Sequence, residues 1–229
     1  MKIQGLQKMT LLDFPGRVAC TVFLGGCDFR CPFCHNGELL DGSAPAVMDD
    51  QELLRFLKGR QGLLDGVAIT GGEPLLRKDL PELLRAIREL GFGVKVDTNG
   101  NHPDALAALL QEGLVDYVAM DLKNSPEKYA LTVGLESLDL SPIRRSVKLL
   151  MDSSIPYEFR TTVVDELHNA ADFEAMGRWI AGAKAYFLQP FTDRDSVPFA
   201  GLHAPTRENL EKYASIARVY VPYTSIRGL

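Results

Sequence analysis

Cys27-Asp28-Phe29-Arg30-Cys31-Pro32-Phe33-Cys34 spaces three cysteines by three residues and then by two. The run before it, 18–24, is apolar and rich in β-branched residues, and Gly25-Gly26 closes it. The thiols therefore belong to a loop leaving the C-terminal end of a strand. Three thiolates fall one short of a closed structural zinc site. The remaining cysteine, Cys20, lies inside the strand run, and His35 follows Cys34 too closely to take an independent position. A cubane iron–sulfur cluster takes one thiolate per iron, so three cysteines leave one iron open to another ligand. Two other readings compete: a disulfide with a spare thiol, and zinc completed by His35. Nothing in the chain looks secreted, which weighs against the disulfide.

Working outward, strand and helix patterns alternate. Strands are expected over 66–70, 93–96, 114–120, 157–164, 184–189 and 218–221. Helices are expected over 51–58, 79–90, 103–111, 138–151, 173–181 and 207–217, with Leu80, Leu83, Leu84, Ile87 and Leu90 showing the clearest register. Such alternation implies βαβ units and a parallel sheet. About six repeats begin with the cysteine strand, short of the eight of a closed barrel. Residues 1–16 read as an extended entry with a Pro15-Gly16 turn, in which Thr10, Asp13 and Pro15 serve the turn. Polar punctuation falls after strands: the cysteine loop, Gly71-Gly72-Glu73-Pro74, Asp97-Thr98-Asn99-Gly100, Asp121-Leu122-Lys123 and Gln189-Pro190. In a parallel α/β barrel these ends share one face, where active sites are built.

Length alone permits one α/β-barrel-type domain or two small ones. The chain has 229 residues, 46% of them hydrophobic, and a formal net charge of −5. No basic surface announces nucleic acid, so direct nucleic-acid binding is not expected. The first 13 residues lack an apolar signal core, and no stretch reaches membrane-spanning length. The expectation is a cytoplasmic protein that does not engage a membrane. Residues 1–229 form one domain, with an N-terminal extension over 1–16, a core over about 17–191 and a C-terminal helix and strand over 205–221.

The cysteine spacing with Phe33 before the last cysteine resembles the signature of the radical S-adenosylmethionine (SAM) enzymes. The wider runs, Leu11-Leu12-Asp13-Phe14-Pro15-Gly16 and 23–37, resemble the glycyl-radical-enzyme activating proteins, most closely those of anaerobic ribonucleoside-triphosphate reductase. The resemblance implies an α/β fold, an incomplete (βα)6 TIM-like barrel. It also implies a [4Fe–4S] cluster on Cys27, Cys31 and Cys34, with SAM on the open iron. The Gly71-Gly72-Glu73 loop is implied to receive the methionine ammonium, Glu73 adding charge compensation. Asp97, Asp121 and Lys123 match segments that contact the SAM carboxylate and ribose, with Lys123 the candidate for the carboxylate. In one branch the two aspartates, with backbone at Thr98 and Met120, also hold a monovalent cation. Arg160 is expected to point into the barrel and help hold SAM, because a charged side chain in a strand is rarely buried without a partner. Phe33 is placed over the cluster or adenine, and His35 beside the adenine or behind the cluster.

Reductive cleavage of SAM, followed by hydrogen abstraction from a glycine of a partner enzyme, is the implied activity. A glycyl radical enzyme is then the protein substrate, and reduced flavodoxin or ferredoxin the electron donor. Pyruvate formate-lyase activating enzymes carry a His after the last barrel strand. Here the stretch is Leu188-Gln189-Pro190-Phe191-Thr192, where Gln189 can substitute as a hydrogen-bonding group. That departure favours the reductase type over the formate-lyase type. A small-molecule radical SAM enzyme, such as a 7-carboxy-7-deazaguanine synthase-like one, is the other alternative. His102, His168 and His203 read as surface residues and Trp179 as core.

Overall fold

The computed structural model describes residues 2–228. Its strands are β1 Lys2–Ile3, β2 Gly5–Thr10, β3 Ala19–Leu24, β4 Met48–Asp49, β5 Gly66–Gly71, β6 Gly93–Thr98, β7 Tyr117–Asp121, β8 Tyr157–Val163, β9 Tyr186–Pro190 and β10 Thr224–Ile226. Its helices are α1 Asp50–Lys58, α2 Leu80–Glu89, α3 Pro103–Gln111, α4 Tyr129–Thr132, α5 Ser141–Asp152, α6 Ala170–Trp179 and α7 Arg207–Arg218. Eight strands form one sheet in the order β10-β9-β8-β7-β6-β5-β3-β2, with β2 and β10 at its two ends. β3 and β5 to β10 run parallel, and β2 is antiparallel to β3. The six expected βα repeats are present, in an open, mostly parallel sheet.

Local chemistry starts and phases the elements. At α1, Asp49 accepts the Glu52 N–H at 2.8 Å while Glu52 accepts the Asp49 N–H at 2.9 Å. This reciprocal cap satisfies two donors the helix cannot satisfy itself. Leu53 and Leu57, four residues apart, are then fully buried on one face. Each contributes roughly 2 kcal/mol of hydrophobic stabilisation. On β5, Val67 and Ile69 are buried toward one side and Ala68 toward the other, as expected of a parallel strand covered on both faces.

Among the boundaries that differ from the sequence expectation, three change how the chain is read. The entry segment forms β2, of whose six residues only Thr10 is buried, so no alternating pattern marked it. Its turn is as expected: Thr10 Oγ1 accepts the N–H groups of Leu12 and Asp13, and Thr21 donates to Asp13. Residues 114–116 close off α3 instead of opening β7, with the Leu114 N–H donated to the Leu109 carbonyl. The last strand is β10 at Thr224–Ile226, not 218–221. Arg218 ends α7, and Val221 still donates back to the Ala217 carbonyl. Among the described residues, no helix is long and apolar enough to cross a membrane.

β10 is anchored from inside the barrel. The Arg227 guanidinium donates to both oxygens of fully buried Glu158, each at 2.6 Å, and Tyr117 donates to the same carboxylate at 2.7 Å. The guanidinium also lies over the Phe187 ring. Removing one partner of such a pair leaves a buried charge uncompensated. Arg227→Met is expected to lower the unfolding free energy by about 2 kcal/mol, the usual figure being reduced because Arg227 is partly exposed. Urea unfolding measures this, and Glu158→Gln in the same chain should recover part of the loss in a double-mutant cycle.

Candidate active site

The loops after the parallel strands meet as the strand ends foretold. One cavity is lined by the cysteine loop, by Gly71 and Gly72 at the end of β5, and by Asp97, Thr98 and Asn99 at the end of β6. Asp121 and Lys123 from β7, Arg160 from β8 and Gln189 from β9 complete it, with Phe33 and His35 on the wall. Glycine is required at two of these places. A Cβ on Gly71, whose φ is +119°, would stand 2.3 Å from the Leu24 carbonyl oxygen, and one on Gly72 would stand 2.1 Å from that of Gly26. The backbones of the two glycine pairs are in contact, and Gly72 and Glu73 donate to Leu24 and Gly26 at 2.7 Å each.

Glu73 itself does not line the cavity. It is buried and its carboxylate is spent internally, accepting from Leu75 N–H at 3.0 Å, Thr98 hydroxyl at 2.9 Å and Asn99 N–H at 2.6 Å. Burial pushes its pKa up to about 7 against these donors. Its place in the fold is to tie the Gly71-Gly72 loop to the end of β6.

All four cysteines are free, so the disulfide reading is not met. Cys27, Cys31 and Cys34 line the cavity, whereas Cys20 is buried in β3 outside it. Burial pushes the Cys27 thiol up to about 11, the Cys31 thiol to about 12 and the Cys34 thiol upward too; Lys123 partly offsets this at all three. Cys27 and Cys34 lie near enough to Cys31 for their charges to raise it further. Thiols of this kind ionise when a bound metal supplies the compensating charge. Among the described residues, no group of three His, Cys, Asp or Glu side chains is arranged for a single metal ion. His35 instead shares a hydrogen bond with the Thr192 carbonyl at 2.8 Å and stacks on Phe191. With His35 engaged elsewhere, three thiols fall one ligand short of a closed zinc site and match three irons of a cluster with one left open.

Inside the mouth runs a chain of charges, Lys95 fully buried and the others partly so. Strand alternation puts Lys95 and Asp97 on one face of β6, Asp121 on the same side of β7 and Arg160 on that side of β8. Lys95 pairs with Asp97; Arg160 reaches Asp97 at 3.3 Å and Asp121 at 3.0 Å; Lys123 reaches Asp121 at 2.9 Å. Burial alone would raise Asp121, but Arg160 and Lys123 hold it down at about 2, and Asp97 is lowered by Arg160 and Lys95 in the same way. Arg160 points inward, as expected.

A second polar cluster was not foreseen. Asp28, within the cysteine loop, accepts from Asn99 at 2.8 Å and Asn101 at 2.5 Å, and pairs with His102 at 3.0 Å. Asn99 also approaches Cys27 Sγ at 4.0 Å, and the Phe29 N–H approaches it at 3.4 Å. His102 is therefore half-buried and engaged, not a free surface residue. His168 is a further correction: it is buried, bonded to Val164 and to the Lys123 carbonyl at 2.9 Å, and it supports the loop that carries Lys123. His203 is exposed as expected and pairs with Glu166. Trp179 packs edge-on against Tyr129 at the margin of the core. The alternation of short polar residues after β6 resembles any turn, which hid the Asp28 cluster.

Residues 21–180 match the radical SAM superfamily. The chain belongs to that superfamily. This radical SAM protein is 30% identical over 239 aligned positions to a protein of Methanocaldococcus jannaschii named "Putative glycyl-radical enzyme activating enzyme", covering 99% of this chain and 96% of the other. It is 32% identical to a "Probable GTP 3',8-cyclase" of Pyrococcus abyssi over 54% of this chain and 41% of the relative. A radical SAM methyltransferase from Sphaerobacter thermophilus shares the fold, with a TM-score of 0.73 at 18% identity, over 96% of this chain and 68% of that one.

The radical SAM mouth carries a pH signature through His102. The hydrogen bond its imidazole donates to Asp28 raises its pKa above 6.5, although burial opposes this. Its contribution to stability is therefore full below 6.5 and is lost as pH rises through the folded value. The gap in Tm between wild type and His102→Ala is expected to be widest below the ordinary imidazole pKa and to shrink as pH rises above it. A gap of about 1 kcal/mol corresponds to roughly 2–4 °C for a chain of this size, read by thermal scans across pH.

Proposed function

We propose that Cys27, Cys31 and Cys34 hold a [4Fe–4S] cluster at the barrel mouth, and that SAM binds beside it. The observation that carries this reading is a single cavity. It presents three free thiols together with two fixed cations, Lys123 and Arg160, and contains no nucleophile–base pair. When bound, the cluster supplies the electron for reductive cleavage of the SAM sulfonium; the protein's own work is placement. Lys123 and Arg160 face the SAM carboxylate. The backbone of Gly71 and Gly72 faces the ammonium, and Asp97 and Asp121 keep both cations charged and fixed. Phe33 shields the reacting centre from water, while His35 and Gln189 flank the nucleoside. Asn36 holds this wall by donating to the Gly71 carbonyl at 2.8 Å, and Ser196 closes the loop after β9 onto the His35 carbonyl at 2.6 Å.

The enzyme then acts as an activase that removes a hydrogen atom from a glycine of a partner glycyl radical enzyme. The relative matched along nearly its whole length supports this choice. Gln189, standing where a formate-lyase type carries His, favours an anaerobic ribonucleoside-triphosphate reductase as the partner. Reduced flavodoxin or ferredoxin is the donor we assign, in a reducing cytoplasm where four free cysteines persist. The partial match to a cyclase supports a second reading, radical chemistry on a small molecule.

Anaerobic reconstitution is expected to give a brown protein with about four irons per chain. Dithionite and SAM should then release 5′-deoxyadenosine, and Cys27→Ala, Cys31→Ala or Cys34→Ala should each abolish both results. A doublet in the electron paramagnetic resonance spectrum of an added reductase partner supports the activase. Nucleoside release that never transfers a radical to protein would point to the small-molecule reading, and an iron-free product would end the proposal.

A further inference from the structure

The two aspartates expected to share a monovalent cation in one branch of the family do not fit one here. Each of their four carboxylate oxygens already has a cationic partner. Lys95 and Arg160 take the two oxygens of Asp97; Arg160 and Lys123 take the two of Asp121. A monovalent ion placed between them would have to displace one of these donors and would sit beside three fixed positive charges. Carboxylate oxygens are the ligands such a hard cation prefers, and here each of them already meets a fixed cation.

Lys95 is the distinctive member. Its side chain is 2% exposed, enclosed within the barrel and aimed at Asp97. The residues in register beside it are Ala68 on β5 and Tyr117 on β7, and Ala119 faces Asp97. The small alanines leave room for a lysine to run up the inside of the sheet. Unlike Lys123 and Arg160, Lys95 does not line the cavity. It therefore cannot touch a ligand directly, and its effect passes through Asp97 to Arg160.

We infer that Lys95 is a positioning residue whose ammonium stands in for a bound monovalent cation, making the SAM site of this enzyme independent of sodium or potassium. The inference rests on the reading of the mouth as a SAM site. Its central measurement, cation binding to the protein itself, does not depend on SAM.

The test compares wild type with Lys95→Met, a substitution of similar shape without the charge. Full-length protein is studied in choline, sodium and potassium chloride at equal ionic strength. Three readouts are taken: sodium-23 NMR line broadening, Tm, and SAM affinity of the reconstituted enzyme. Wild type is expected to show no saturable sodium broadening and the same Tm in all three salts, with SAM affinity varying less than about twofold. Lys95→Met should gain saturable sodium binding and a Tm that rises with sodium or potassium. Its SAM affinity should fall about tenfold in choline and recover in part with either cation. A purely structural lysine would lose Tm equally in every salt, which overturns the inference. Wild-type stabilisation by sodium or potassium over choline overturns it as well, and that comparison decides the matter if Lys95→Met does not fold. Loss of all SAM binding by wild type would instead defeat the proposed function while the sodium and Tm comparisons still decide the role of Lys95.

Discussion

Two carboxylates and three cations occupy the inside of this barrel mouth, and the rest of the site depends on their balance. Moving any one of Asp97, Asp121, Lys95, Lys123 or Arg160 out of water costs several kcal/mol on its own. They are tolerated because each carboxylate oxygen meets a donor and Arg160 bridges the two aspartates. That balance requires β6, β7 and β8 to stand in one register, with Asp97 opposite Ala119 and Asp121 opposite Arg160. A one-residue slip would turn these charges into the apolar layer under the helices. The polar interior thus both selects the register and leaves a rigid, charged floor beneath the cavity.

Above that floor the thiol loop is braced from several sides. Asp28 gathers Asn99, Asn101 and His102, while Glu73 gathers Thr98, the Asn99 backbone and Leu75. Both carboxylates therefore pull the same turn after β6 toward β3 and β5. Within the turn, Thr98 accepts the Gly100 N–H and Asn99 the Asn101 N–H, and the neighbouring loops fix where the turn sits. The loop after β9 joins through Thr192 and Ser196, which meet His35. Such cross-bracing keeps donors preorganised, so little reorganisation is needed when a charged ligand binds.

Much of this was legible in order along the chain. Strand and helix alternation, the position of each polar loop after a strand, and the inward aim of Arg160 follow from periodicity and from the cost of burying an unpaired charge. β2 was not legible, because an exposed edge strand buries too little to leave an alternating pattern. Nor was the place of β10, because the apolar run Val219-Tyr220-Val221 reads as a strand start, yet it closes the turn after α7 and the strand begins at Thr224.

By itself the sequence determined the fold class and the three-thiol loop, because spacing and hydrophobic period are local properties that survive without a fold. Only the tertiary structure decided which carboxylates line the cavity and which are spent on donors outside it. Glu73 and Asp28 look as available as Asp97 in the linear chain, yet their oxygens are consumed by donors more than twenty residues away. Lys95 likewise reads as one more charge in a strand until Asp97 and Arg160 are seen to close around it. Pairing of buried charges is set by distances across strands, and those distances exist only once the sheet has assembled.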